Sequence, residues 1–325
     1  MAAFSPIDDP SAFFQSILYT GTNNSNAING HGNSDMQPDW LVIKRRTSDN
    51  GWLNFDSTRG VTKITGWESN GNETTLSGRL SSFDTDGFTV TSSSGACNSN
   101  GDQFVAYQWK ANGGTVSNNT NGNITTSVQV NSTCGVSIGK YTGNGGTGAT
   151  IGHGLGAIPD FYMVKGISGS GTKYWVVGCP RVMGNGTSNH MMLDQNWAEA
   201  SNTTIWRNAS FTTTIAPHGD HQGINHVNSE YMFYAFREIQ GFSKVGKYKG
   251  SGDADGIFNY CGFKPALVII KNRDQAEPWV LFDNNRGSVE GHNVNDEKLT
   301  PNTACLLYTS PSPRDLSTSR MPSSA

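Results

Sequence analysis

Residues 38–60 read PDWLVIKRRTSDNGWLNFDSTRG, and residues 265–287 read PALVIIKNRDQAEPWVLFDNNRG. The two stretches align without a gap and keep Pro38/Pro265, Lys44/Lys271, Arg46/Arg273, Trp52/Trp279, Phe55/Phe282, Asp56/Asp283, Arg59/Arg286 and Gly60/Gly287. Each holds an apolar run, a polar loop of hairpin length, and a second apolar run led by Trp. Two such runs joined by a short polar connection predict an antiparallel strand pair. The first run, Trp40-Leu41-Val42-Ile43, has no polar alternation, so it predicts a strand buried on both faces and central in its sheet. A match at this distance points to duplicated modules.

A third, weaker copy lies between them. Lys165 follows Phe161-Tyr162-Met163-Val164 as Lys44 and Lys271 follow their own runs, and Tyr174-Trp175-Val176-Val177 takes the place of the Trp-led strand. Each copy opens on a Tyr-x-Gly turn, at Tyr19, Tyr141 and Tyr248. Alternating aromatic strands close the first two copies, Gln103–Trp109 and Glu230–Phe236. After Gly287 the third copy has too little chain left for its later strands, and the closing residues, CLLYTSPSPRDLSTSRMPSSA, match nothing upstream.

The reading is therefore an all-β chain of tandem antiparallel β-sandwich, jelly-roll-like units, two complete and one truncated. Residues 1–110 form the first unit with a short lead. Residues 111–133, rich in Asn, Thr and Gly, are a linker or an edge hairpin. Residues 134–241 form the second unit, 242–304 the truncated third, and 305–325 read as an adapter-derived tail on a fragment of a longer gene product.

Composition agrees. Only 15% of the 325 residues are charged, while 39 Gly and 12 Pro supply turns, the profile of many short strands. A net charge of -3 offers no basic stripe for nucleic acid, and no apolar run is long enough for membrane insertion by a helix. The N-terminus lacks the pattern of a signal peptide, so synthesis as a soluble chain in a cytoplasm is expected. The five cysteines form no CxxC pair, so they read as buried or incidental thiols.

The stretches IDDPSAFFQSILYTG (7–21), NSDMQPDWLVIKRR (33–46), SSFDTDGFTV (81–90), GHGLGAIPDFYMVK (152–165) and YAFREIQGFSKVGKYKGSGDADG (234–256) resemble virion-associated, tail-fibre-like proteins of marine bacteriophages, a family with a repeated β domain. The resemblance implies a structural or adhesive module of a phage particle, located in the virion, homo-oligomeric within a fibre, and with a host-surface glycan as candidate partner. It implies no enzyme and no cofactor. The middle copy departs from the pattern, with Gly178-Cys179-Pro180-Arg181 where the outer copies have FDSTRG and FDNNRG.

Several groups invite a sharper chemistry. His218, Asp220, His221 and His226 carry metal-ligand side chains, but their spacing fits neither a helical HExxH nor a finger, so no metal site is assigned. Asp84, Asp86, Asp194 and Glu199 are carboxylates that a glycan depolymerase could use, yet no spacing selects a pair, and no catalytic residue is assigned. The Asp56/Arg59 and Asp283/Arg286 pairs read as turn fasteners. Trp52, Trp109, Trp175 and Trp279 sit in apolar strands and read as core. Trp67, Trp197 and Trp206 have polar neighbours and are the candidates for exposed contacts, with a carbohydrate-binding module as the alternative function.

Overall fold

A computed structural model of the chain describes residues 5–91, 95–253, 256–286, 297–304 and 308–309. It is an all-β architecture of antiparallel sheets, interrupted by four one-turn α-helices and one 3-10 turn among the described residues. No helix is long and apolar enough to cross a membrane.

In the first unit, β1 (Phe14–Thr20), β2 (Asn26–Ile28), β3 (Trp40–Arg45), β4 (Leu53–Asp56), β5 (Lys63–Ile64), β6 (Thr74–Thr75), β7 (Leu80–Phe83), β8 (Phe88–Val90) and β9 (Gln103–Trp109) follow one another. They form a four-stranded sheet in the order β1-β9-β3-β4, a three-stranded sheet in the order β2-β8-β7, and a small β5-β6 pair. Ile17, Leu41, Ile43, Phe55, Phe104 and Ala106 of the larger sheet meet Ile28, Leu80, Phe88 and Val90 of the smaller. Burial of each large side chain there is worth about 1.5–3 kcal/mol. The β7-β8 turn needs Gly87, whose φ of +89° lies in the left-handed region and whose missing Cβ leaves room for the Ile28 carbonyl.

The second unit contains β10 (Ser117–Asn119), β11 (Thr126–Asn131), β12 (Val136–Thr142), β13 (Ala149–Gly152), β14 (Phe161–Gly166), β15 (Trp175–Gly178), β16 (Asn189–Met192), β17 (Ala200–Ser201), β18 (Ile215–His218) and β19 (Glu230–Phe236). Its main sheet runs β10-β11-β12-β19-β14-β15-β16-β17. The segment β12-β19-β14-β15 reproduces β1-β9-β3-β4. Residues 111–133 thus supply an edge hairpin: β11 pairs with β12 from Asn131↔Val136 to Ser127↔Lys140. The predicted hairpins appear in register, Ile43↔Leu53 to Trp40↔Asp56 and Lys165↔Trp175 to Tyr162↔Gly178. As expected, β3 and β14 are inner strands.

The third unit has β20 (Leu267–Ile270) and β21 (Val280–Asp283), paired from Ile270↔Val280 to Leu267↔Asp283. A bridge joins Leu281 to Leu299. The short β22 (Glu297–Lys298) pairs with β23 (Tyr308–Thr309). Apart from Tyr308 and Thr309, the predicted tail 305–325 lies outside the described residues, as do Gly287 and Cys305. A shared core gathers Trp40, Trp52 and Tyr107 from the first unit, Met163, Trp175 and Tyr234 from the second, and Trp279, Leu281 and Leu299 from the third.

Candidate functional site

The three tryptophans proposed as exposed contacts separate at once. Trp67 is 1% exposed, stacked on Trp52 at 5.0 Å and tilted against Trp40 at 5.9 Å between centroids. Trp206 is 1% exposed, wedged among Tyr162, Phe211 and His218. The expectation of exposure is therefore corrected for both. Trp67 lies in a loop and Trp206 ends a one-turn helix, Thr203–Trp206, and in each the indole is the part of a polar segment that enters the core. Trp197 alone of the three stands at the surface, 47% exposed, 5.5 Å from the Tyr174 ring.

The residues following Trp197 line a shallow depression of about 400 Å³, formed by Asn189, Glu199, Ser201, Arg273 and Asp274 with Ala198 and Ala200. It lies where the second and third units meet. Glu199 is fixed from three sides: its N–H donates to the Arg273 carbonyl at 2.8 Å, Asn189 Nδ2 donates to its Oε1 at 2.9 Å, and the Arg273 guanidinium pairs with its Oε2. The hydrogen bond that Arg273 donates to Glu199 raises the Arg273 pKa. A carboxylate with both oxygens so engaged is poorly placed to exchange a proton with a substrate. The depression is a polar surface beside an aromatic ring, suited to hydroxyl-rich ligands.

The other carboxylates considered for hydrolysis also accept hydrogen bonds from the protein itself, Asp84 within its own turn and Asp86 and Asp194 from other segments. Asp84 Oδ2 accepts from Thr89 Oγ1 at 2.6 Å, Asp86 Oδ2 from the Gly30 N–H at 2.6 Å, and Asp194 Oδ1 from the Trp175 N–H at 3.0 Å. Burial pushes the Asp194 pKa up.

The histidine-rich segment does not converge on an ion either. Among the described residues, no three or more His, Cys, Asp or Glu side chains form a metal-holding group. His218 is fully buried between two phenols, Tyr141 at its Nδ1 and Tyr162 at its Nε2, both at 3.2 Å. The Tyr141 hydroxyl donates to the Ile224 carbonyl at 2.6 Å, which makes it an acceptor toward His218. The ring is then neutral, donating from Nδ1 and accepting at Nε2. Burial pulls its pKa down to about 3 and that of His153 down to about 4. His221 Nδ1 accepts from the Gly223 N–H at 3.0 Å and caps a one-turn helix.

The best-built polar constellation joins the units. Trp175 Nε1 of the second unit donates to Gly66 O of the first at 2.7 Å. Trp279 Nε1 of the third donates to Met192 O of the second at 2.8 Å. Trp52 Nε1 of the first donates to Thr300 O and Thr303 O of the third, both at 3.2 Å. The contacts form a closed cycle, in which the Trp of the second and third units donates to a carbonyl of the preceding unit and that of the first to carbonyls of the third. The backbone N–H of each Trp meets a side-chain oxygen of its own unit, from Glu68, Asp194 or Asn302.

The repeat lysines follow the same cycle. Lys44 Nζ donates to Ala304 O at 2.9 Å and to Asn50 O, Lys165 Nζ to Ser69 O at 2.6 Å and to Lys173 O, and Lys271 Nζ to Asn196 O at 3.2 Å and Glu277 O at 2.6 Å. Each ammonium thus ties its own hairpin loop to the unit that its Trp also reaches, Lys165 to the first, Lys271 to the second and Lys44 to the third. Burial pulls Lys165 down to about 7. Sequence reading marked these lysines as rulers and missed the role; a cation after an all-apolar strand at the same place in every copy was the available signal.

Two tyrosines on the closing strands complete the network. Tyr234 of β19 donates to Asp56 Oδ2 of the first unit at 2.8 Å, and Tyr107 of β9 to Asp283 Oδ2 of the third at 2.5 Å. These carboxylates also hold buried guanidinium groups, Arg59 at 2.6 Å from Asp56 and Arg286 beside Asp283. The second unit has buried Cys179 at that place, just before a one-turn helix, Pro180–Met183.

A family model described as a domain of unknown function, DUF7483, matches residues 9–315. The chain belongs to the DUF7483 family. The match spans all three units and runs past residue 304, where the third unit was expected to stop. No curated protein matches the chain. No solved structure matches it.

Proposed function

We propose that this DUF7483 chain is a structural or adhesive module of a phage particle, tail-fibre-like and assembled as a homo-oligomer within the virion. The observation that carries the structural reading is the closed Trp–carbonyl cycle, which turns tandem units into one interlocked body. The Trp52, Trp175 and Trp279 indoles and the Lys44, Lys165 and Lys271 ammonium groups are directed into contacts between units. The setting rests on the sequence resemblance to virion-associated proteins. Gold-labelled antibodies against the chain should decorate purified particles; labelling of host lysate but never of particles would sink the proposal.

A carbohydrate-binding role is the second reading, favoured by the exposed Trp197–Tyr174 platform beside Asn189, Ser201 and Asp274. Glycan-array binding that disappears in Trp197→Ala would support it. Binding unaffected by that substitution would remove this platform from consideration.

A further inference from the structure

The dipeptide Asn-Gly occurs eight times in the chain. It is open to self-modification because glycine has no side chain to keep its amide nitrogen away from the preceding side-chain carbonyl. The fold closes most of these places. The Gly30 N–H donates to Asp86 Oδ2, that of Gly71 to Ser69 Oγ, that of Gly101 to the Gly21 carbonyl, that of Gly113 to Asp39 Oδ2 and that of Gly145 to the Asn225 carbonyl. A nitrogen so engaged is not free to attack. The Asn185 amide is held at both ends by the Phe211 backbone. Two places remain, Asn50-Gly51 and Asn121-Gly122, in which the glycine N–H has no acceptor among the described residues.

The two differ in what surrounds the asparagine amide. Ser48 Oγ donates to Asn50 Oδ1 at 2.8 Å and Arg45 Nη1 donates to it at 3.2 Å. Two donors, one of them charged, thus sit on the oxygen that becomes negative when a nucleophile adds to Cγ. Asn121 has no such donors among the described residues. Packing also demands the glycine at position 51. A Cβ there would meet Glu68 Oε1 at 2.1 Å, and Glu68 accepts the Trp52 N–H at 3.0 Å. The copies that carry a side chain at this place, Tyr174 and Pro278, have the shorter Asp194 and Asn302 as acceptors for the Trp that follows. Pro278 has no N–H at all, so the fold makes no use of the one that Gly51 leaves free.

We propose that Asn50 is a self-modification site, at which the chain converts its own asparagine to aspartate and isoaspartate with water as the only co-reactant. The Gly51 nitrogen bonds to Asn50 Cγ and gives up its proton to water. The Cγ–Nδ2 bond breaks and ammonia leaves, and water then opens the cyclic imide. Opening at Cγ leaves aspartate, while opening at the main-chain carbonyl leaves isoaspartate, whose free carboxylate is the former Asn50 carbonyl. That carbonyl is an acceptor of Lys44, which also holds Ala304 O. A neutral partner of the ammonium that joins the first unit to the third therefore becomes an anion, and the main chain gains a methylene just ahead of Trp52.

The test uses the full chain, kept folded in mildly alkaline buffer and in parallel unfolded in denaturant. Mass spectrometry of the digested chain reads the gain in mass from Asn to Asp, and electron-transfer fragmentation assigns isoaspartate. In denaturant all eight places should convert at comparable rates. In the folded chain Asn50 should convert first and Asn121 second. Ser48→Ala should slow conversion of Asn50 about tenfold and leave Asn121 unchanged. Conversion at Asn121 or any other place ahead of Asn50 in the folded chain would overturn the proposal, and so would a Ser48→Ala chain that converts Asn50 as fast as the wild type.

Discussion

The first and third units carry nearly the same hairpin in different surroundings. Trp40-Leu41-Val42-Ile43 is buried throughout, whereas Leu267-Val268-Ile269-Ile270 has two exposed members. Yet Trp52 and Trp279 are buried alike, as are the Asp56/Arg59 and Asp283/Arg286 pairs. Among the described residues the third hairpin keeps its contacts to neighbouring units, while its Lys-bearing strand pairs only with β21 and is less buried. Inter-unit cohesion and intra-unit packing are therefore separable layers of this fold.

The sharpest way to break that comparison is to place the same charge in both hairpins. Val42→Asp should cost about 4 kcal/mol or more and unfold the first unit, because a carboxylate would be trapped in a dry core. Ile269→Asp should stay within about 0.5 kcal/mol. Denaturant melts followed by tryptophan fluorescence check both, and similar costs would contradict the separation.

Next in size is the buried ion pair. Asp56→Ala should cost about 3–5 kcal/mol, since Arg59 stays buried without its partner and the Tyr234 hydroxyl loses its acceptor. Cys179→Ala, at the matching place in the second unit, should cost far less, as no buried cation depends on that thiol. Limited proteolysis of the two variants should show the first opening and the second intact.

Acid should act on the second unit before the first. The folded-state pKa values of His153 and His218 lie below the ordinary value of 6.5, at about 4 and about 3. Between these limits the unfolded chain binds protons that the folded chain refuses. Stability is thus intact above about pH 6.5 and falls as pH drops, by up to about 1.4 kcal/mol per histidine per pH unit. Melts from pH 7 to pH 4 should show this slope, and His218→Gln should flatten it.

A smaller loss than the ion pair's belongs to the cycle's individual links. Trp175→Phe keeps an aromatic ring and removes the bond to Gly66 O, which should cost about 1 kcal/mol. A loss of comparable size for Trp279→Phe would show that the links are equivalent although their units are not.

Much of this architecture was legible in residues 38–60. A run without alternation, a polar loop and a Trp-led run gave the hairpin and the inner position of β3, because burial on two faces removes period two. The Asn, Thr and Gly of residues 111–133 left linker and edge hairpin undecided, and only the pairing of β11 with β12 resolves it. Trp67 and Trp206 were misjudged because a loop's polarity reports its backbone surroundings, whereas a single indole can turn inward. The lysine anchors were hidden for a related reason: their acceptors are backbone carbonyls far along the chain, and a carbonyl leaves no trace in residue identity.

The closing of the Trp cycle also sets an order in time. Trp52 and Lys44 reach partners 248 to 260 residues downstream, so neither can make its final bonds until Ala304 has left the ribosome. At about 5–20 residues per second the first unit waits on the order of tens of seconds with that end unlatched. During synthesis it must rest on its own core, and a turn made about 250 residues later locks it.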